Sequence, residues 1–111
     1  MIPRGALVVL VTTPSVEEGQ RIARAVVAEH LAACVNVVPG LRSVFFWEGQ
    51  LQEESEALLV IKTSRERYEA LQRRVFELHT YSVPEVLALP VEAGSPSYLA
   101  WVDEAVRTGG R

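Results

Sequence analysis

The run Ala6–Val11 (Ala-Leu-Val-Val-Leu-Val) is apolar at every position, which predicts a central strand covered on both faces. Thr12-Thr13-Pro14 ends it. Ser15, followed three residues later by Glu18, has the form of a capping box, in which the serine oxygen and the glutamate each satisfy an orphan amide. The helix that follows carries Ile22, Ala23, Val26, Val27 and Leu31 on one flank. Glu17, Arg21, Arg24 and Glu29 face water. Gly19 weakens this helix by roughly 1 kcal/mol relative to alanine, so tertiary packing must hold it.

From Cys34 the period changes to that of a strand. Cys34–Val38 is interrupted by Pro39-Gly40 and continues as Leu41–Trp47, and Glu48-Gly49-Gln50 is a turn signal. The return arm, Leu51–Thr63, starts polar at Gln52–Glu56 and ends apolar at Ala57–Ile61. Ser64 is placed to cap a second helix with Tyr68, Leu71, Val75 and Leu78 at helical spacing and Arg67, Arg73, Arg74 and Glu77 on its wet side. Pro84 stops helix, and Val86–Val91 reads as a strand that, given Pro90, lies at a sheet edge or ends there. Ser97 caps a last helix carrying Leu99, Trp101, Val102 and Val106, and the tail Thr108–Arg111 is expected to be flexible.

The order β-α-β-β-α-β plus a helix predicts an α+β fold, the ferredoxin-like split β-α-β sandwich: an antiparallel sheet with the two main helices on one face. A single domain, residues 1–111 with a folded core of about 6–107, accounts for the length. Each hairpin arm would extend to roughly 45 Å at ~3.3 Å per residue, whereas a compact domain of this size has a radius of gyration near ~13 Å. The arms therefore bend at Pro39-Gly40 or project. Phe45, Phe46 and Trp47 in a row load both faces of the tip with aromatic surface. Covering one such side chain is worth about 1.5–3 kcal/mol, which points to a partner subunit as the cover; the alternative is that the third helix folds over the tip.

Composition narrows the function classes. A hydrophobic fraction of 49% supports a real core, and a formal charge of -3 argues against a nucleic-acid partner. No apolar run reaches the ~20 residues of a membrane helix, and Met1–Gly5 has no signal-peptide pattern. The single cysteine, Cys34, excludes an internal disulfide and suits a reducing compartment, so a soluble cytoplasmic protein is expected.

Catalytic hardware is sparse. The only histidines are His30 and His79, and no nucleophile elbow or phosphate-cradling glycine loop occurs. Cys34 lies within an apolar strand, where a buried and inert thiol is expected. The loop Thr12–Ser15 lacks the arginine of an acylphosphatase and the Cys-x-x-Cys of a metal chaperone, and the central strands lack the paired aromatics of an RNA binder. His30 reads as a solvated residue on the polar side of the first helix. His79 ends the second helix, where an imidazole interacts favourably with the carbonyl end of the dipole. It is also the single candidate ligand. Glu53, Glu54 and Glu56 could collect a divalent ion, but on a strand they alternate faces, and charges guarding a strand edge are the commoner meaning. Tyr81, Glu85 and His79 form the best candidate polar cluster, which one hydrogen-bonded structural corner would explain equally well.

These pieces together resemble the CutA divalent-cation-tolerance family. The likeness rests on Ala32-Ala33-Cys34-Val35-Asn36, Pro39-Gly40, Trp47-Glu48-Gly49, Lys62-Thr63, Leu78-His79, Tyr81, Val83-Pro84-Glu85, Ala88-Leu89-Pro90, Tyr98-Leu99 and Trp101, in that order. The resemblance implies a tight homotrimer with strands continuing across subunit boundaries, an architecture similar to the PII signalling proteins, and a link to tolerance of copper and other divalent metals. Phe45, Phe46 and Trp47 then fall at the trimer interface. Some family members are assigned a cysteine at the end of the first strand and adjacent histidines after the second helix. Here those positions are Val11 and Leu78-His79, and Thr80 stands where proline is usual. Only His79 remains as a metal residue, and a lone imidazole supports weak, surface-type copper binding at most. The expected function is non-enzymatic and concerned with divalent-metal tolerance. The alternative is a PII-like small-molecule sensor whose intersubunit clefts are lined by Trp47, Glu48, Lys62, Tyr81 and Glu85.

Overall fold

Alternation along the first strand sets the layers of the molecule. In the computed structural model, which describes residues 5–107, β1 (Ala6–Thr13) buries Leu7, Val9 and Val11 on one face and leaves Ala6, Val8 and Leu10 half-buried on the other. The tail expected to be flexible, Thr108–Arg111, lies outside the described residues. β1 runs two residues past Val11 because Thr12 and Thr13 still pair with Leu58 and Ala57.

The order continues as α1 (Val16–Ala28), β2 (Cys34–Trp47), β3 (Gln50–Ser64), α2 (Tyr68–Leu78), β4 (Val86–Pro90) and α3 (Pro96–Val106). The four strands form one antiparallel sheet in the order β2-β3-β1-β4, so the split β-α-β prediction holds; β4 is an edge and also ends at Pro90, so both readings of that proline apply. Ile22 and Val26 of α1 and Leu71 and Val75 of α2 close over Leu7, Val9, Val11, Leu59 and Ile61 to make the main core. Val102 and Val106 of α3 form a second, smaller cluster with Ala33 and Ala6, at the end of the sheet away from the hairpin tip. The third helix therefore does not cover the tip.

Local chemistry explains the boundaries. Ser15 caps α1, its Oγ accepting from the Glu18 amide at 3.1 Å. The helix ends in a Schellman motif: His30 adopts φ +61°, the Leu31 amide donates to Val26 O and the His30 amide to Val27 O. His30 is thus a chain-reversing residue after α1, its Nδ1 3.1 Å from Ala105 O, rather than part of the helix's polar side. Val27, expected on the packed flank, is 39% exposed. Ser64 does not cap α2. It is the last residue of β3, its buried Oγ has no partner among the described residues, and a 3₁₀ turn, Arg65–Arg67, leads into the helix instead. Cys34, expected to be buried, is half-exposed opposite Lys62.

The hairpin is the longest feature. Arms of 14 and 15 residues stretch the molecule to 47 × 26 × 25 Å, with a radius of gyration of 14.8 Å. Val38 pairs with Leu58 and Leu41 with Glu56, so Pro39 and Gly40 together oppose Ala57 in a β-bulge, with Gly40 at φ +78°. The extra residue shifts the parity of everything beyond it. Leu41, Ser43, Phe45 and Trp47 consequently share the face of Val38, while Phe46 shares the opposite face with Leu51. Glu48 (φ 52°) and Gly49 (φ 80°) make the two-residue turn, with positive φ at both positions as a type I′ turn demands.

Candidate functional site

Helix α1, helix α2 and the end of β1 meet at His79. Its amide closes α2 on Val75 O at 2.9 Å, and its ring is fully buried. Nε2 donates to Thr12 O at 2.7 Å and Nδ1 accepts from the Tyr81 amide at 3.0 Å. A carbonyl only accepts and an amide only donates, so these partners select the neutral Nε2–H tautomer. Neither nitrogen offers a free lone pair in this arrangement. The metal role expected of His79 would require both bonds to break, and Val11 and Leu78 supply no donor beside it. Among the described residues no group of three or more His, Cys, Asp or Glu side chains is placed to hold a metal ion.

Glu18 completes the junction. In a capping box its carboxylate would return to the Ser15 amide; here Oε2 accepts from the Thr80 amide at 3.0 Å and Oε1 from Thr80 Oγ1 at 2.8 Å. Oε2 also lies 3.4 Å from His79 Nδ1. Arg21 of α1 donates to Leu78 O at 3.1 Å, satisfying a carbonyl at the end of α2. Thr80, where the resemblance led us to expect proline, thus ties the loop after α2 to Glu18 of α1.

Tyr81 carries this junction outward. Its hydroxyl donates to Glu56 Oε2 at 2.7 Å, and its ring lies 4.8 Å from that of His79. Burial of the phenol, the bond to Glu56 and the nearby negative charge of Glu54 and Glu18 together push the Tyr81 hydroxyl well above the usual tyrosine range. Beside it a groove of about 850 Å³ runs between the distal hairpin and the loop joining α2 to β4. Phe45 and Trp47 form one wall and Tyr81 and Val83 the other, with Glu54, Glu56 and Glu85 supplying carboxylates and no Lys, Arg or His among the described residues that line it.

Of the cleft residues expected from sequence, the fold brings Trp47, Tyr81 and Glu85 to this one groove. Glu48 sits in the hairpin turn, outside the lining. Lys62 lies at the far end of β3, paired in register with Cys34 and Val8, where its Nζ donates to the Asn36 side chain and to Val60 O at 3.4 Å. Within one chain it cannot join them. Sequence reasoning undervalued Glu54 and Glu56. Their i, i+2 spacing placed them on one strand face, but only the bulge puts that face together with Phe45 and Trp47.

The described residues contain no helix long and apolar enough to cross a membrane. The family model described as CutA1 divalent ion tolerance protein matches residues 7–105. The chain is 50% identical to the divalent-cation tolerance protein CutA of Thermus thermophilus, over 87% of this chain and 94% of that one. It is 47% identical to the chloroplastic protein CutA 1 of Oryza sativa, over 92% of this chain but only 58% of that one, so it spans little more than half of this plant relative. Among solved structures, the T. thermophilus divalent cation tolerance protein superposes with a TM-score of 0.90 at 47% identity, covering 92% and 99% of the two chains. The periplasmic divalent cation tolerance protein CutA of Archaeoglobus fulgidus superposes with a TM-score of 0.89 at 36% identity, covering 92% and 99%.

Proposed function

Because the chain belongs to the CutA1 divalent ion tolerance family, we propose that it serves in tolerance of divalent cations, copper among them, as a homotrimer that catalyses no reaction. The observation that carries this reading is the family match, which runs through every strand and both main helices. The family is named for an ion-tolerance role and not for a reaction. Copper binding on this reading is weak and of a surface type, since the buried imidazole of His79 is committed to Thr12 and Tyr81.

Two apolar surfaces support assembly. Phe46 is 74% exposed and Leu51, its cross-strand partner, 68%. On the sheet, Leu87 and Leu89 of β4 lie exposed in register with Leu10 and Val8. Each side chain covered by another copy contributes about 1.5–3 kcal/mol. A cytoplasmic address belongs to the same proposal and rests on the lone cysteine; the relatives' names include chloroplastic and periplasmic forms.

The test has two arms. Expression in a host lacking its own copy should restore growth under copper, zinc or cobalt stress, and an unchanged growth curve sinks the tolerance role. Light scattering at micromolar protomer should return three times the chain mass, and a monomer there sinks the assembly.

A further inference from the structure

The junction at His79 holds a buried titratable ring that the ion-tolerance reading leaves without a role. Nε2 is committed to Thr12 O whether the ring is neutral or charged, because both forms donate there. Nδ1 is different. In the neutral ring it accepts the Tyr81 amide at 3.0 Å, and a proton on that nitrogen sets two donors against each other. One other acceptor already stands within reach, Oε2 of Glu18 at 3.4 Å.

The surroundings of the ring fit that exchange of partners. From α1 come the Glu18 carboxylate, itself buried, and the Arg21 guanidinium, which is turned to Leu78 O. β1 contributes only the Thr12 carbonyl, and β3 reaches the ring through Tyr81, whose hydroxyl is held by Glu56. α2 presents its carbonyl end, where a cation is favoured. The amide and hydroxyl of Thr80 fix the Glu18 carboxylate in place. A buried imidazolium needs an opposite charge and an acceptor for each of its two N–H groups, and Glu18 and Thr12 supply them.

We propose that His79 is an acid-operated catch: a proton arriving at Nδ1 exchanges the Tyr81 amide for the Glu18 carboxylate and releases the loop after α2. The effect reaches the hairpin. Tyr81 is the residue through which that loop grips Glu56 of β3, and its ring lies 4.8 Å from that of His79. Acid therefore loosens the loop from the domain body while the imidazole stays anchored to Thr12. The inference does not rest on the tolerance role or on assembly, because neither a growth assay nor a mass measurement reads this bond.

Amide and imidazole resonances of the purified full chain, in its native assembly, test it. They are followed from about pH 8 to about pH 5, the span in which histidines change charge, with circular dichroism at each point. The Tyr81 amide should shift with the same midpoint as the His79 ring while the dichroism stays native. Glu18→Gln should move that midpoint to lower pH by roughly one unit, since the opposite charge is gone. His30→Asn removes the other histidine and keeps a residue that tolerates positive φ, so it should leave the Tyr81 transition unchanged. A Tyr81 amide that does not respond while the fold persists overturns the proposal. So does an unmoved midpoint in Glu18→Gln, loss of the transition in His30→Asn, or a transition seen only with global unfolding.

Discussion

Replacing His79 with alanine separates a structural imidazole from a metal ligand. The ring is fully buried, and its removal strands two backbone groups, the Thr12 carbonyl and the Tyr81 amide. A buried polar group deprived of its partner costs about 1–3 kcal/mol, and the cavity left by the ring adds to that while water entering it subtracts. The balance is a destabilisation of about 2–4 kcal/mol. For a domain of this size that lowers the melting temperature by about 10 °C or more. The melt should be followed by circular dichroism at one fixed protomer concentration, because an assembling protein's midpoint depends on it. Copper(II) calorimetry on the same two proteins, below both midpoints, completes the assay. We expect a large thermal shift with little change in the copper isotherm. An unaltered melting temperature together with a lost copper isotherm would refute the reasoning, since it would show an imidazole free to coordinate and unimportant to the fold.

Four further outcomes follow from the same structure. Gly19→Ala should destabilise by about 1–2 kcal/mol despite better helix propensity, because the new Cβ would lie 3.0 Å from Leu59 and 3.1 Å from Thr13, both fully buried; a raised urea midpoint contradicts this. Ser64→Ala should be neutral or stabilising by up to about 1 kcal/mol, since its hydroxyl is buried without a partner, whereas a loss near 1 kcal/mol would restore the capping role read from sequence. Phe46→Glu should dissociate the proposed trimer, where three covered rings contribute about 5–9 kcal/mol, and sedimentation showing an intact trimer at micromolar protomer speaks against the tip as interface. Tyr81 holds its proton more tightly folded than unfolded, so its contribution is complete below pH ~10 and is lost as pH rises beyond that towards the folded value. The alkaline decline in stability should be shallower in Tyr81→Phe, and equal slopes would remove Tyr81 as its source.

What could be read from sequence was whatever a short window contains. The two-faced apolar run of β1, the serine cap of α1, the Pro39-Gly40 interruption and the Glu48-Gly49 turn each depend on residues within a few positions of one another. Ser64 misled because a serine ahead of an amphipathic helix is a local signal, while its actual place at the end of β3 is decided by pairing with Ala6. Glu18 misled in the same way: half of its capping box forms, and its carboxylate goes to Thr80, which no local pattern connects with it. His79, legible as a helix terminus, is buried by the arrival of β1 and α1.

The bulge shows most plainly how local and distant information combine. A Pro-Gly pair in a strand signals an irregularity, but not its width. One extra residue keeps Phe45 and Trp47 on the face of Glu54 and Glu56; none would turn both to the other side and bring Phe46 to the carboxylates instead. The same parity rule bears on assembly. Ala6–Val11 is apolar on both faces, yet α1 and α2 cover only the side of Leu7, Val9 and Val11, and α3 reaches the other side only at Ala6. Val8 and Leu10 remain half-buried beside exposed Leu87 and Leu89. A strand patterned for two covers and given one within its own chain is the sequence-level argument for the proposed trimer. It requires charged substitutions at Leu87 or Leu89 to weaken the assembly before they weaken the fold.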